Sequence, residues 1–181
     1  MSRAASHSIQ VRKPAVKSKK GLVSSQNRIA SEIGADVLRK GGNAVDAAIA
    51  TSFALGVVEP WMSGIGGGGY MVVRRAGDKG AQVVDFGMRA PSSLRVEDYP
   101  IMDGTASDLF PWPVVKDDAN VFGAKSVAVP GQVAGMAKAH EVFGSRPWAD
   151  LLTPAVTEAE QGLVVDWYAQ LILAGAAKGL A

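Results

Sequence analysis

Residues Gly41–Ala50 read GGNAVDAAIA, and Ser63–Tyr70 read SGIGGGGY. The first stretch stops one helix and starts another with almost no loop between them. Ahead of it, RIASEIGADVLRK sets Ile29, Ile33, Val37 and Leu38 on one side of a helix. Arg39 and Lys40 fall in its last turn, where cations offset the helix dipole. Gly41 suits the left-handed residue that closes a helix, and Gly42 follows it into the joint. Asn43 is placed to cap the next helix by accepting from backbone N–H groups two or three residues on. Asp46 falls in that helix's first turn, where negative charge is favoured. From Ala44 to about Val57 the chain is alanine-rich and apolar on nearly every face, which predicts a helix buried between layers.

The second stretch spends five of six positions, 64–69, on glycine. YMVVRR (residues 70–75), a turn at AGDKG and AQVVDF (residues 81–86) then predict a hairpin. A dinucleotide fingerprint needs a strand, then glycines, then a helix. Here a helix precedes the glycines and a strand follows, and no Gly-Lys-Ser/Thr comes after. Gly66, Gly67, Gly68 and Gly69 are therefore structural, like Gly41, Gly42, Asn43 and Asp46: glycine permits close backbone approach and positive φ.

Elsewhere, GLVSSQ (residues 21–26) reads as a short strand, with Asn27 or Ser31 capping the helix after it. Residues 100–125 hold three prolines and no clean periodicity, which reads as a long surface loop. SVAVPG is a short strand and QVAGMAKAHEVF a helix. RPWADLLTPAVTEAEQG reads as a helix, a break near Pro154 and a second helix. DWYAQLILAGAAKGLA starts a last helix capped by Asp166. The fold class is α+β, and there is no internal repeat.

Composition narrows the chemistry. The chain has 181 residues, 48% apolar and 20% charged, which suits one domain with a core. With no cysteine, disulfides, thiolate catalysis and cysteine-bound metals are excluded. Only His7 and His140 are present, no metal or cofactor motif appears, and His140 reads as a surface helix residue beside Lys138 and Glu141. The formal charge is +2. Its excess lies in Arg3, Arg12, Lys13, Lys17, Lys19 and Lys20, a flexible basic tail over residues 1–20. The balanced remainder and the lack of interleaved aromatics argue against a nucleic-acid partner. Residues 1–20 lack the apolar run of an export signal. Ala44–Val58 is too short and too polar to span a membrane. These readings lean to the cytoplasm. The adjacent pairs Glu97-Asp98 and Asp117-Asp118 read as solvated. Arg89, in DFGMRAP just beyond the second strand, is the candidate binding residue: a loop on a rigid scaffold is where binding groups sit, and arginine holds a carboxylate with two parallel hydrogen bonds.

Taken in order, ASEIGADVLRKGGNAVDAAIATSFALGVVEP, SGIGGGGYMVV, VVDFGMRAP, SVAVPGQVAGM and LLTPAVTEAEQGLVVDW resemble the opening of the large subunit of the γ-glutamyltransferase (γ-glutamyltranspeptidase) family. The resemblance covers roughly residues 21–170. It implies an N-terminal-nucleophile hydrolase, a four-layer αββα sandwich that is incomplete in this chain, with residues 21–181 as the N-terminal portion of the large subunit. It implies a proenzyme that cuts itself. The N-terminal threonine of the small subunit becomes the nucleophile, and its α-amino group acts as base. A γ-glutamyl group then passes from a donor such as glutathione to water or an amino acid. The chain stops inside the large subunit, so no catalytic residue is expected in it, and Thr51, Thr105, Thr153 and Thr157 match no such role. Alone it is expected to be inactive, its partner being the remainder of the proenzyme. The alternatives are part of another amidase or acylase on the same scaffold, or a non-catalytic truncated interaction partner. The family's substrate arginine commonly follows the Asp-Phe pair directly. Here Gly87 stands there and Arg89 comes two residues later, which on an extended strand is about 6–7 Å along the same face.

Overall fold

The computed structural model describes residues 15–106 and 111–180. Most of the expected basic tail, residues 1–14, lies outside the described residues, and residues 15–20 are exposed with no helix or strand. The elements in chain order are helices α1 (Arg28–Arg39) and α2 (Ala44–Val58), strands β1 (Gly69–Val73), β2 (Gln82–Phe86), β3 (Ile101–Thr105) and β4 (Pro113–Val115), and helices α3 (Gln132–Phe143), α4 (Trp148–Gln161) and α5 (Trp167–Leu180).

The joint between α1 and α2 is built as its sequence dictates. Asn27 caps α1 by accepting from the Ile29 N–H at 2.8 Å. At the other end Gly41, at φ 86°, donates to the Leu38 carbonyl and Gly42 to the Val37 carbonyl, so the last carbonyls are satisfied as the chain turns out of the helix. Asn43 then accepts from Val45 and Asp46, while Asp46 accepts from the Asn43 N–H at 2.8 Å. That reciprocal pair is a capping box.

Helix α2 is the centre of the molecule. Ala47, Ile49, Ala50, Ala54 and Val58 are buried in it, and it packs against α1, α3 and α4. Burying a side chain the size of Ile49 stabilises the fold by about 1.5–3 kcal/mol. The small residues let α1 come close: a Cβ on Gly34 would fall 2.1 Å from Thr51 Oγ1 and 3.1 Å from the Ala47 carbonyl oxygen.

β1 and β2 pair antiparallel, Gly69 opposite Phe86 and Val72 opposite Val83. One face carries Met71, Val73, Val84 and Phe86 into the core with Val37, Val45, Ile49, Met136 and Leu151. The other leaves Tyr70, Val72 and Val83 exposed. The layer of helices α1–α4 thus covers one face of a two-stranded sheet. No helix among the described residues is long and apolar enough to cross a membrane.

Four expectations need correction. Residues 21–26 form no strand; with no strand alongside, Ser25 bonds instead to Ser31 and to the Asn27 carbonyl. Residues 100–125 are not simply a loop: β3 and β4 pair within them, with a register shift between Met102 and Thr105. All five β3 residues are exposed, so no buried face imposes the alternation that a strand normally shows. SVAVPG reduces to a single bridge between Val129 and Arg89. Helix α4 runs through Pro154 without a break. Leu151 and Ala155 are both buried on it, and packing on α2 outweighs the roughly 3 kcal/mol that an interior proline costs.

Candidate functional site

Three glycine-containing segments meet at the end of β2. Gly67 offers its carbonyl to the N–H groups of Gly131 and Gln132, both at 2.9 Å. Helix α3 has no side-chain cap, so this carbonyl satisfies part of its N-terminus. Gln132 also donates through Nε2 to Ser52 Oγ at 2.6 Å, tying the helix start to α2. The N-terminus that an anion-binding loop would expose is thus taken up by the glycine run itself.

Phe86 lies at the middle of the crossing. A Cβ on Gly131 would stand 2.2 Å from the Phe86 carbonyl oxygen, and one on Gly135 2.0 Å from the Phe86 ring. A Cβ on Gly68 would stand 2.6 Å from the same carbonyl oxygen and 2.8 Å from the Met88 nitrogen, and one on Gly69 3.2 Å from the ring. Gly67 is moderately tight, 3.2 Å from the Gly64 carbonyl oxygen, whereas Gly66 faces open space. Beside the crossing is a cleft of about 390 Å³ lined by Gly64, Gly66, Gly67 and Gly68 with Trp61 and Gln132.

Arg89 leaves this crossing three residues beyond the end of the Phe86 clamp's strand. Its carbonyl accepts from the Val129 N–H at 2.8 Å, and its side chain is exposed. No ion pair involves it among the described residues. Asp85, the obvious candidate, instead accepts from the Gly87 N–H at 3.0 Å. At Gly87 a Cβ would lie 3.0 Å from the Tyr70 hydroxyl. An exposed guanidinium on a backbone held in place can take a carboxylate in a paired, charge-assisted geometry. Three of the threonines lie elsewhere, within the helical layer. Thr51 is buried between α1 and α2, and Thr153 and Thr157 donate to the carbonyls of Ala149 and Thr153 within α4.

Gly41, Gly42, Asn43 and Asp46 sit far from Arg89 in chain order but anchor a second junction. Asn43 Nδ2 donates to the Phe143 carbonyl at 2.7 Å. Asp46, fully buried, accepts from Ser145 N–H at 2.9 Å, Ser145 Oγ–H at 2.5 Å and, at a longer 3.4 Å, Arg146 N–H. Burial by itself would raise the Asp46 pKa. The donors from Ser145, Asn43 and Arg146 outweigh it and hold the carboxyl below its ordinary value. His140 is a correction: it is half-buried, packs edge-on against Trp148 at 5.3 Å and bonds through Nε2 to the Arg146 carbonyl at 2.6 Å. Sequence reasoning missed this mooring and the Phe86 socket. The Gly131/Gly135 spacing, one helical turn, was the available signal for the socket.

The gamma-glutamyltranspeptidase family profile matches residues 30–181. The chain is 40% identical over 148 residues to the glutathione hydrolase proenzyme of Bacillus subtilis (strain 168), covering 82% of this chain and 24% of that protein. It is 42% identical over 157 residues to the Acylase ACY 1 proenzyme of Pseudomonas sp. (strain SE83), covering 87% of this chain and 27% of that protein. The gamma-glutamyltranspeptidase of Helicobacter pylori superposes with a TM-score of 0.77 at 34% identity, over 91% of this chain and 44% of that one. The chain therefore spans about a quarter of the length of the curated relatives it matches. Its fold is part of the N-terminal-nucleophile hydrolase sandwich, and the chain belongs to the gamma-glutamyltranspeptidase family.

Proposed function

We propose that residues 21–181 form the N-terminal portion of the large subunit of a self-cleaving proenzyme that transfers a γ-glutamyl group, with glutathione as the type of donor. The observation that carries this reading is the 40% identity to a glutathione hydrolase proenzyme. The nucleophilic threonine belongs to the remainder of the proenzyme, which is this chain's partner. Arg89 holds the donor's carboxylate. The threonine forms the acyl-enzyme with its own amino group as base, and water or an amino acid then takes the acyl group.

A second reading is favoured by one observation, the 42% identity to an acylase proenzyme. In that reading the donor is another acyl amide, and Gly87 leaves a position beside Tyr70 without a side chain. The test is donor choice by a complete proenzyme carrying this chain. Turnover of a γ-glutamyl anilide well above that of a simple acyl amide, with the anilide's KM raised at least about tenfold by Arg89→Ala, supports γ-glutamyl transfer. The reverse preference moves the protein to the acylase reading. An unchanged KM removes Arg89 from the site.

A further inference from the structure

We infer that Phe86 is a positioning residue: held between the glycines at 68, 69, 131 and 135, it sets where Arg89 presents its guanidinium. The inference rests on the proposed role of Arg89 in holding a carboxylate. Phe86 is buried, with 8% of its surface exposed; glycine backbone lies against its carbonyl at Gly68 and Gly131 and against its ring at Gly69 and Gly135. Cβ atoms at Gly131 and Gly135 would fall 2.2 and 2.0 Å from it, and those at Gly68 and Gly69 would fall 2.6 and 3.2 Å from it. Four positions at which even a methyl group meets Phe86 leave the ring and its carbonyl almost no freedom. From there to Arg89 the chain has two residues. Gly87 is bonded through its N–H to Asp85 at 3.0 Å, Met88 lies with its nitrogen against Gly68, and Arg89 is paired by its carbonyl to Val129 at 2.8 Å. Val129 leads through Pro130 to Gly131, which lies against the Phe86 carbonyl again. The strand end is thus tethered at both sides of a short span, and Arg89 is the charged side chain that it carries, exposed and in no ion pair among the described residues. A packed joint transmits a change of volume because it has no slack, and a guanidinium moved out of its paired geometry loses charge-assisted hydrogen bonds to the donor's carboxylate.

The test uses the complete proenzyme carrying this chain, with Phe86→Leu, Arg89→Ala and the double variant. KM and kcat are measured for a γ-glutamyl anilide and for the same donor with its α-carboxylate esterified. Phe86→Leu is expected to raise KM for the free-acid donor about tenfold, to leave kcat within about twofold, and to leave the ester's KM unchanged. In the Arg89→Ala background it is expected to add nothing, since coupled residues are non-additive. An equal KM rise in both backgrounds, an equal effect on acid and ester, or a loss confined to kcat would overturn the inference. So would an unchanged KM in Phe86→Leu while Arg89→Ala raises it, which spares the reading of Arg89. An unchanged KM in Arg89→Ala alone overturns both. Where Phe86→Leu fails to mature, Phe86→Met is judged by the same criteria, and failure of both to mature assigns Phe86 to folding alone and ends the proposal.

Discussion

Replacing Asp46 with asparagine should cost far more than its isosteric shape suggests. The carboxylate is fully buried and accepts from Asn43 N–H, Ser145 N–H and Ser145 Oγ–H at 2.8, 2.9 and 2.5 Å. Asparagine keeps one acceptor oxygen, enough for Ser145 N–H. Its NH2 group then faces the Asn43 N–H, donor against donor, while the Ser145 hydroxyl can turn and accept. One buried backbone donor is left unpaired, at about 1–3 kcal/mol, and one charge-assisted bond becomes neutral, at about 1 kcal/mol. The loss of negative charge in the first turn of α2 adds about 0.5 kcal/mol. The expected destabilisation is about 3 kcal/mol at pH 7, read as a drop of roughly 1.5–2 M in the urea midpoint of the far-ultraviolet circular dichroism transition. Asp36→Asn is the control, because Asp36 pairs with Arg39 on the exposed side of α1; it should cost under about 1 kcal/mol. The folded carboxyl titrates below its ordinary value of 3.8, so its contribution is complete above pH of about 4 and is lost as pH falls through the folded value. The gap between wild type and Asp46→Asn should therefore narrow below pH of about 4. A midpoint for Asp46→Asn within about 0.2 M of wild type at pH 7, or a gap that widens in acid, would refute the argument.

Substitutions at three further places read separate features. Gly34→Ala places a methyl 2.1 Å from Thr51 Oγ1 and should destabilise by about 2 kcal/mol; adding Thr51→Ala should recover most of that, and a thermal melt of the pair checks it. Pro154→Ala restores an N–H inside α4 and should raise stability by about 2 kcal/mol, the interior-proline cost less what the alanine adds to the entropy of the unfolded chain, measured in urea. Gly68→Ala should cost about 2–3 kcal/mol because its methyl meets the Phe86 carbonyl, whereas Gly66→Ala should stay within about 0.5 kcal/mol. Equal effects at the two glycines would mean that the run is valued for flexibility and not for close approach.

The helix joint was legible because all its instructions are local. Gly41, Asn43 and Asp46 act on N–H and carbonyl groups within five residues, and the sequence spells out a stop followed by a start. The second half of Asp46's role was not legible, since Ser145 lies 99 residues away and a serine in a turn carries no signature of its distant acceptor. The β1–β2 hairpin was readable from its apolar runs, although Arg74 and Arg75 fall outside the paired strand. β3 escaped because every one of its side chains is exposed, and Pro154 misled because local preference yields to burial of Leu151 and Ala155. At the site, the strand-to-loop position of Arg89 could be read directly. Its tether to Val129 depends on how separate segments fold together, whereas the bond from Gly87 that occupies Asp85 is local, two residues apart.

The carbonyl of Gly67 has a consequence for the order in which the molecule assembles. Nucleating a helix is the costly step, and α3 has no residue of its own to cap its first turn. The N–H groups of its N-cap Gly131 and its first residue Gln132 wait for an acceptor delivered from beyond both hairpins, and that acceptor arrives only once the intervening chain has closed on itself. The first turn of α3 and the seating of the glycine run therefore form in one cooperative event, of high contact order. Slow amide exchange at Gly131 and Gln132 would report the attachment of the sheet to the helical layer, and fraying there would mark its release.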